Sequence, residues 1–112
     1  RFDGTTTQSD GDTIVADDLR IVAQTAITVT NAAAFTATGT YQPIQAAGTV
    51  TPTITAGTAG QALVLINTSA QSIVIVDTGN QVLTAAATLN QYDVLCGYSD
   101  GTRCIEVSRA DN

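Results

Sequence analysis

The stretch Gln61-Ala-Leu-Val-Leu-Ile-Asn67, with the polar break Thr-Ser-Ala-Gln and the run Ser72-Ile-Val-Ile-Val76 after it, is the strongest structural signal in this chain. Both runs are rich in β-branched and aliphatic residues, and the break between them is short, which predicts a β-hairpin. Strand side chains alternate between two faces, and here both faces are apolar. A sheet with one face in water would alternate apolar and polar residues instead. We therefore expect this hairpin inside a sandwich, or with one face covered by another copy of the chain.

An interface with other copies of the chain is one way to cover the second apolar face of the hairpin. A closed symmetric oligomer buries an apolar face and also removes exposed sheet edges. The residues expected at this interface are Leu63, Leu65, Ile73, Ile75 and Tyr92. The sequence therefore predicts that other copies of the chain bury part of the hairpin surface.

The composition of the chain limits its partners. It has 112 residues, enough for one compact domain or for a smaller domain with an extended arm. Only 12% of the residues are charged, against about 25% in an average protein. With a net charge of −6 and no lysine, the chain cannot assemble a basic patch, so we expect no nucleic-acid partner. No apolar run reaches the roughly 18 residues that a membrane helix needs, so we expect no membrane partner either.

Composition also divides the chain into three parts. Residues 1–12 are polar apart from Phe2 and are expected to form an extended arm that becomes ordered only against a neighbour. Residues 13–50 form a β-rich arm or stem segment, and residues 51–112 form a C-terminal antiparallel β-domain. The predicted fold class is all-β, a small antiparallel β-sandwich or barrel-like domain with an extended N-terminal arm.

Turn and breaker residues place the other strands. Pro43 and Pro52 cannot donate to a β-ladder, so we expect edge strands or a linker around them. Residues 77–80, Asp-Thr-Gly-Asn, predict a turn before a short strand. Residues 91–98 and 103–108 flank an Asp-Gly sequence and predict a last hairpin with one wetter face.

The loop length of this last hairpin decides the state of the two cysteines. A two-residue loop at Asp100-Gly101 places Cys96 opposite Ile105, with the two thiols on opposite faces. A three-residue loop that begins at Ser99 places Cys96 directly opposite Cys104. The second register allows a disulfide between Cys96 and Cys104, and the first leaves both thiols free. The sequence leaves both arrangements open.

The sequence contains few groups suited to catalysis or metal binding. Histidine is absent, which removes the usual general base and the commonest metal ligand. Two cysteines cannot form a closed zinc site. Two acidic pairs resemble calcium ligands only in part, because they lack the spacing and final glutamate of an EF-hand loop: Asp10 with Asp12, and Asp17 with Asp18. We expect no metal site and no cofactor.

Two further sets of residues have a possible role in sugar chemistry. Asp93 and Glu106 lie on neighbouring predicted strands, and paired carboxylates hydrolyse glycosides, but ordinary surface carboxylates fit the pattern better. Aromatic rings stack on sugars, yet the three tyrosines are scattered along the chain and are more typical of interface or core-edge residues: Tyr41, Tyr92 and Tyr98. The sequence therefore predicts no catalytic residues, and we expect that the protein is not an enzyme.

The C-terminal half carries a family resemblance. Four segments follow one another: Thr53-Ile-Thr-Ala-Gly-Thr-Ala-Gly-Gln-Ala-Leu-Val-Leu-Ile-Asn-Thr-Ser69, Ser72-Ile-Val-Ile-Val-Asp-Thr-Gly79, Asn90-Gln-Tyr-Asp-Val-Leu95, and Ser99-Asp-Gly-Thr-Arg-Cys-Ile-Glu-Val-Ser-Arg109. In this order they resemble a β-domain at the ends of tailed-bacteriophage virion proteins, which include capsid decoration, head-fibre and tail-fibre proteins. The resemblance covers residues 51–112. Such domains commonly have tryptophan two places after Asp-Gly-Thr, where this chain has Cys104.

The resemblance implies a structural role, often as a homotrimer, and transfers no catalytic residue. The expected function is decoration and stabilisation of a phage capsid by binding between major shell subunits, with the major capsid protein or other virion proteins as partners. One alternative is a tail- or head-fibre segment whose tip binds a host glycan. A second alternative is a secreted adhesin or filament subunit, because strand donation by an arm suits the same composition.

Overall fold

The computed structural model describes residues 21–112, and every strand in this part supports the all-β prediction. The predicted arm at residues 1–12, the pair Asp10 and Asp12, and the pair Asp17 and Asp18 lie outside the described residues. None of the described residues forms a helix, so this part of the chain has no helix able to span a membrane. The strands are β1 (Ile27–Thr28), β2 (Ala34–Thr36), β3 (Tyr41–Gln45), β4 (Thr53–Thr55), β5 (Ala62–Asn67), β6 (Ile73–Ile75), β7 (Gln81–Val82), β8 (Ala87–Leu89), β9 (Val94–Ser99) and β10 (Cys104–Ala110).

A six-stranded sheet with the order β1-β3-β5-β9-β10-β7 forms the main layer, and the pairs β2-β4 and β6-β8 form two small sheets. The main sheet is mixed, although the sequence predicted an antiparallel domain. β3 is parallel to both β1 and β5, β9 is antiparallel to both β5 and β10, and β7 is parallel to β10. In the parallel pairs the chain returns to the same sheet after passing through the other layer. β1 therefore pairs with β3, with Ile27 opposite Ile44, and β2 pairs with β4, with Phe35 opposite Ile54.

The predicted hairpin at residues 61–76 is wrong, although both of its strands are present. β5 already has β3 on one side and β9 on the other, so neither of its edges is open to β6. β6 pairs with β8 instead, and Val50 forms an isolated parallel bridge with Ile73. The polar break between the runs is therefore a crossing from the main sheet to a small sheet. Alternation within each strand predicted the strands correctly but contained no information on their partners.

One hydrophobic core joins the three sheets. Its members come from the main sheet, from both small sheets and from the connecting segments: Val29, Phe35, Ile44, Ala46, Ile54, Leu63, Leu65, Ile73, Ile75, Leu83, Ala87, Leu89, Leu95 and Cys104. Strands on both sides of residue 50 pair with each other in the same sheets. The boundary predicted between residues 50 and 51 therefore does not separate two packing units.

Three buried amide side chains connect the layers where the backbone ladders are interrupted. Gln42, Asn67 and Gln81 are almost fully buried, and every buried side-chain polar atom in the described residues has a hydrogen-bond partner. The Gln42 side chain donates to the carbonyl of Thr25 at 3.0 Å, next to Pro43, which has no N–H to donate. This bond helps to explain why Pro43 lies inside the sheet, between β1 and β5, rather than on the edge strand that the sequence predicted.

The last hairpin is confirmed, and its loop differs from both predicted lengths. Ser99 pairs with Cys104, so four residues, 100–103, form the loop, and Cys96 lies opposite Ser108. A β-bulge between Glu106 and Ser108 shifts the register further. The two cysteines are therefore not opposite each other, and both thiols are free, with Cys104 buried and Cys96 half-buried.

Candidate interaction surface

The two faces of the main sheet differ in what covers them. The small sheets pack against one face, where Leu63, Leu65 and Leu95 enter the core. Register partners across a sheet lie on the same face, so the opposite face can be followed from strand to strand. One row joins Tyr41, Val64, Cys96 and Ser108, and the next joins Pro43, Ile66, Val94 and Ala110. A third row joins Ala62, Tyr98, Ile105 and Val82.

We call this second face the open face and define it by the apolar members of these rows: Tyr41, Pro43, Ala62, Val64, Ile66, Val82, Val94, Cys96, Tyr98, Ile105 and Ala110. Most of these side chains are half-buried by their neighbours in the sheet, while Tyr98 is 43% and Val82 is 39% exposed. No charged side chain occupies a paired position on the open face within residues 21–112. An apolar surface of this kind is a candidate site of contact with another molecule.

The residues predicted for the oligomer interface lie mainly elsewhere. Leu63, Leu65, Ile73 and Ile75 are buried in the core of the chain itself, with exposures of 8%, 0%, 0% and 0%. They are therefore not available to a second copy, because the main sheet and the small sheets pack together around them. Tyr92 is 55% exposed, in the turn between β8 and β9. The sequence correctly indicated that β5 is apolar on both sides, but it could not indicate which side faces the core.

The residues of the open face that sequence reasoning missed are on β3, β9 and β10. Val94 and Cys96 alternate with the buried Leu95, so β9 shows the same two-sided apolar pattern that was recognised in β5. On β10, Ile105 lies opposite Tyr98. The alternation in β9 was therefore the available signal, but the pairing of β9 with β5 was needed to join these residues into one surface.

The two carboxylates considered for glycoside hydrolysis have separate structural roles. Asp93 accepts hydrogen bonds from the backbone N–H of Asn90 at 2.8 Å and of Asn112 at 2.7 Å. Glu106 pairs with Gly97, whereas Asp93 lies beyond the other end of the β9-β10 ladder. The structure therefore does not bring the two carboxylates together. No group of three acidic or cysteine residues within residues 21–112 is placed to hold a metal ion.

Glu106 anchors the edge strand β10 to the segment before β8. Its carboxylate accepts from Arg109 Nε at 2.6 Å, from Arg109 Nη2 at 2.8 Å and from the N–H of Thr84 at 2.9 Å. Arg109 also donates to the carbonyl of Ala85 at 2.8 Å. The Arg109 guanidinium, with help from the Thr84 N–H, lowers the pKa of Glu106 to about 2. The charged side chains of Glu106 and Arg109 therefore lie on the covered side of the sheet and do not contribute charge to the open face.

Replacing Glu106 with glutamine is expected to flatten the acid end of the stability profile. A carboxyl group whose pKa is lower in the folded state stabilises the fold above its unfolded value of 4.5, and this contribution is lost as the pH falls towards about 2. The variant should lose stability at neutral pH and approach the wild type near pH 2. Urea unfolding at several pH values measures this, with Gln91→Asn as control, an exposed position where the substitution removes no carboxylate and should keep the wild-type slope. A Glu106→Gln profile parallel to the wild type would contradict the assignment.

A cleft lies near the tip of the last hairpin. Both polar and apolar residues line it: Thr53, Ile54, Thr55, Ala56, Thr78, Gly79, Asn80, Gln81, Gly101 and Thr102. No aromatic side chain is among its lining residues, and the tyrosines lie elsewhere. Since sugar sites usually offer an aromatic ring to the sugar face, this cleft gives little support to a glycan-binding tip.

Comparisons of the chain with protein-family models, with curated proteins and with solved structures give no significant match.

Proposed function

We propose that this chain is a structural virion protein of a tailed phage, which decorates and stabilises the capsid as a homotrimer assembled through the open face. The observation that supports the proposal most strongly is the apolar, uncharged surface that runs across β3, β5, β9 and β10. Ordinary antiparallel sheets place polar residues on a face that remains in water. Here Val64 and Ile66 lie at the centre of the face, where another protein surface can replace water.

The distribution of charge supports assembly between identical copies. Each chain carries a net charge of −6, so copies repel one another at long range, and a stable contact requires a surface that adds no further charge at the interface. The open face meets this condition, since no charged group has to be desolvated when two such faces approach. The hydrophobic effect then favours contact without a penalty for unpaired ions.

The capsid is the proposed partner of the assembled protein. The resemblance to decoration and head-fibre domains supports a position between major shell subunits. A low content of charged residues, 12%, also suits a protein that functions packed against other proteins. Binding across the junction of shell subunits would stabilise the shell by mass action, because the protein binds the assembled form.

Val64→Glu tests the open face directly. A carboxylate at the centre of the contact has to be desolvated without a partner, which costs several kcal/mol. The variant is expected to be a folded monomer in light scattering, whereas the wild type should have the mass of a trimer. The control is Thr88→Glu on β8, an exposed position outside the open face, which should keep the trimer mass. A wild-type monomer, or a Val64→Glu variant of unchanged mass, would refute assembly through this face.

Copy number in purified particles tests the capsid role separately. Decoration predicts hundreds of copies for each particle and loss of shell stability when the protein is removed. The stacked parallel turns of β1, β3 and β5 favour a fibre segment as the second candidate, since such turns can continue along an axis. A handful of copies at one vertex or tail end would support the fibre and overturn decoration.

A further inference from the structure

Among residues 21–112, the main sheet has two edges at which backbone groups are not paired with another strand. On one side, β7 pairs with β10 only at Cys104 and Ile105. Within residues 21–112, no strand pairs with β10 from Glu106 to Ala110 on the side away from β9. On the other side, β1 and the residues just before it form the outermost strand of the sheet.

Both edges carry exposed apolar side chains. Val107 on β10 is 68% exposed, and Ile21 and Val22 before β1 are 63% and 74% exposed. Natural sheet edges are usually protected by lysine, proline or inward-pointing charges, because an unprotected edge pairs with other strands. On β10, the two charged side chains, Glu106 and Arg109, are in register with Gly97 and Leu95 on the covered side of the sheet, where they bind each other and residues 84–86.

The two edges match in direction. β1 is parallel to β3, and β3 is parallel to β5. β9 runs against β5, and β10 runs against β9, so β10 runs in the same direction as β1. A copy rotated about an axis along the strands can therefore place its β1 edge beside the β10 edge of its neighbour as a parallel pair.

The two edges also match in level. Ala23 bridges to Tyr41, and the row through Tyr41 continues across the sheet to Ser108. Ala23 and Ser108 therefore lie at the same height on opposite edges. Val22 precedes Ala23, and Val107 is the unpaired bulge residue just before Ser108, so an unstaggered contact brings the exposed Val22 of one copy to within about one residue of the exposed Val107 of the other along the strands.

We infer that the trimer closes by strand addition, with the β10 edge of each copy pairing with residues 22–25 of the next copy. This inference rests on the proposed function, since it specifies how the copies of that assembly meet. Each contact joins two different edges, so three copies form a closed ring with no edge left over. The open faces border both edges and turn towards the common axis, where they cover one another.

Paired cysteines test this contact. The variant Val22→Cys/Val107→Cys carries Cys96→Ala as background, while the buried Cys104 is kept. Within one chain the two new thiols are separated by four strand spacings, about 19 Å for a flat sheet, so they cannot react with each other. Oxidation or a short bis-maleimide is expected to link most chains into covalent dimers and trimers on a denaturing gel. Val22→Cys alone and Val107→Cys alone should remain single chains.

Three other results of the cross-linking and light-scattering experiments would contradict the edge contact. A trimer by light scattering without links in the double variant would overturn the edge contact and leave assembly through the open face standing. Dimers from Val107→Cys alone would show that β10 pairs with its own copy, which also overturns the contact. A monomeric wild-type protein would overturn both this inference and the proposed function.

Discussion

Gly97→Ala is expected to destabilise this protein strongly, although it adds a single methyl group. A Cβ atom at residue 97 would lie 2.1 Å from the carbonyl oxygen of Ile105 and 3.0 Å from its carbonyl carbon. These are backbone atoms of β10, so no side chain can rotate away to relieve the clash. To admit the methyl group, β10 must separate from β9 at the bulge opposite Gly97. We expect a loss of about 3 kcal/mol or more, a large part of the total stability of a small domain.

Chemical denaturation followed by circular dichroism measures this effect, and Gly48→Ala is the matched control. Nothing lies within 4 Å of a Cβ atom built at residue 48. The same substitution there should change stability by less than about 1 kcal/mol, and it can be stabilising because alanine restricts the unfolded chain. Equal effects of the two variants would show that the close approach of β10 to Gly97 does not limit the fold.

The sequence predicted the individual strands better than it predicted their partners. Two-sided apolar alternation located β5 and β6, and the turn at residues 77–80 correctly preceded β7. Pairing depends on which edges are already occupied, and this is settled by strands distant in sequence. β5 is enclosed by β3 and β9, so the short connection to β6 became a crossing between layers. The local sequence pattern does not show which strands compete for each edge of β5.

For the candidate interaction surface, too, the pattern within one strand was readable from the sequence, whereas the pairing of distant strands was not. An apolar second face on β5 was readable in Val64 and Ile66. The assignment of Leu63 and Leu65 to the interface was wrong because alternation separates two faces without identifying the one that meets the core. The extension of the face to Tyr41, Val94 and Ile105 required the register of four strands.

Asn67 explains in chemical terms why the chain changes layers after β5. Its Nδ2 donates to the carbonyls of Gln71 at 2.6 Å and Leu89 at 2.8 Å. Its Oδ1 accepts from the N–H and the hydroxyl of Ser69 at 2.9 Å and 2.7 Å. The side chain is fully buried and joins the end of β5, the crossing loop and β8. The amide is the one common side-chain group with two donors and an acceptor in this compact geometry.

Asn67→Asp should therefore destabilise the fold strongly at neutral pH. The carboxylate would face the carbonyl oxygens of Gln71 and Leu89 with no proton to donate, and it would be buried without a cation. Leaving a buried charge unpaired costs about 3–5 kcal/mol. Burial and the two carbonyls raise the pKa of the introduced carboxyl group above its unfolded value of about 3.9. The unfolded chain then releases its proton first, so the penalty increases as the pH rises above about 4.

Unfolding of Asn67→Asp and the wild type at matched pH values measures this penalty, because effects shared by the two proteins, including that of Glu106, cancel in the difference. The control is Asn90→Asp, since Asn90 is exposed and its Oδ1 accepts from the Ser72 hydroxyl at 2.7 Å. A carboxylate can still accept this bond, so the control should lose less than about 1 kcal/mol. If Asn67→Asp lost no more than the control, or if its deficit did not grow with pH, the buried amide would not hold the crossing between the layers.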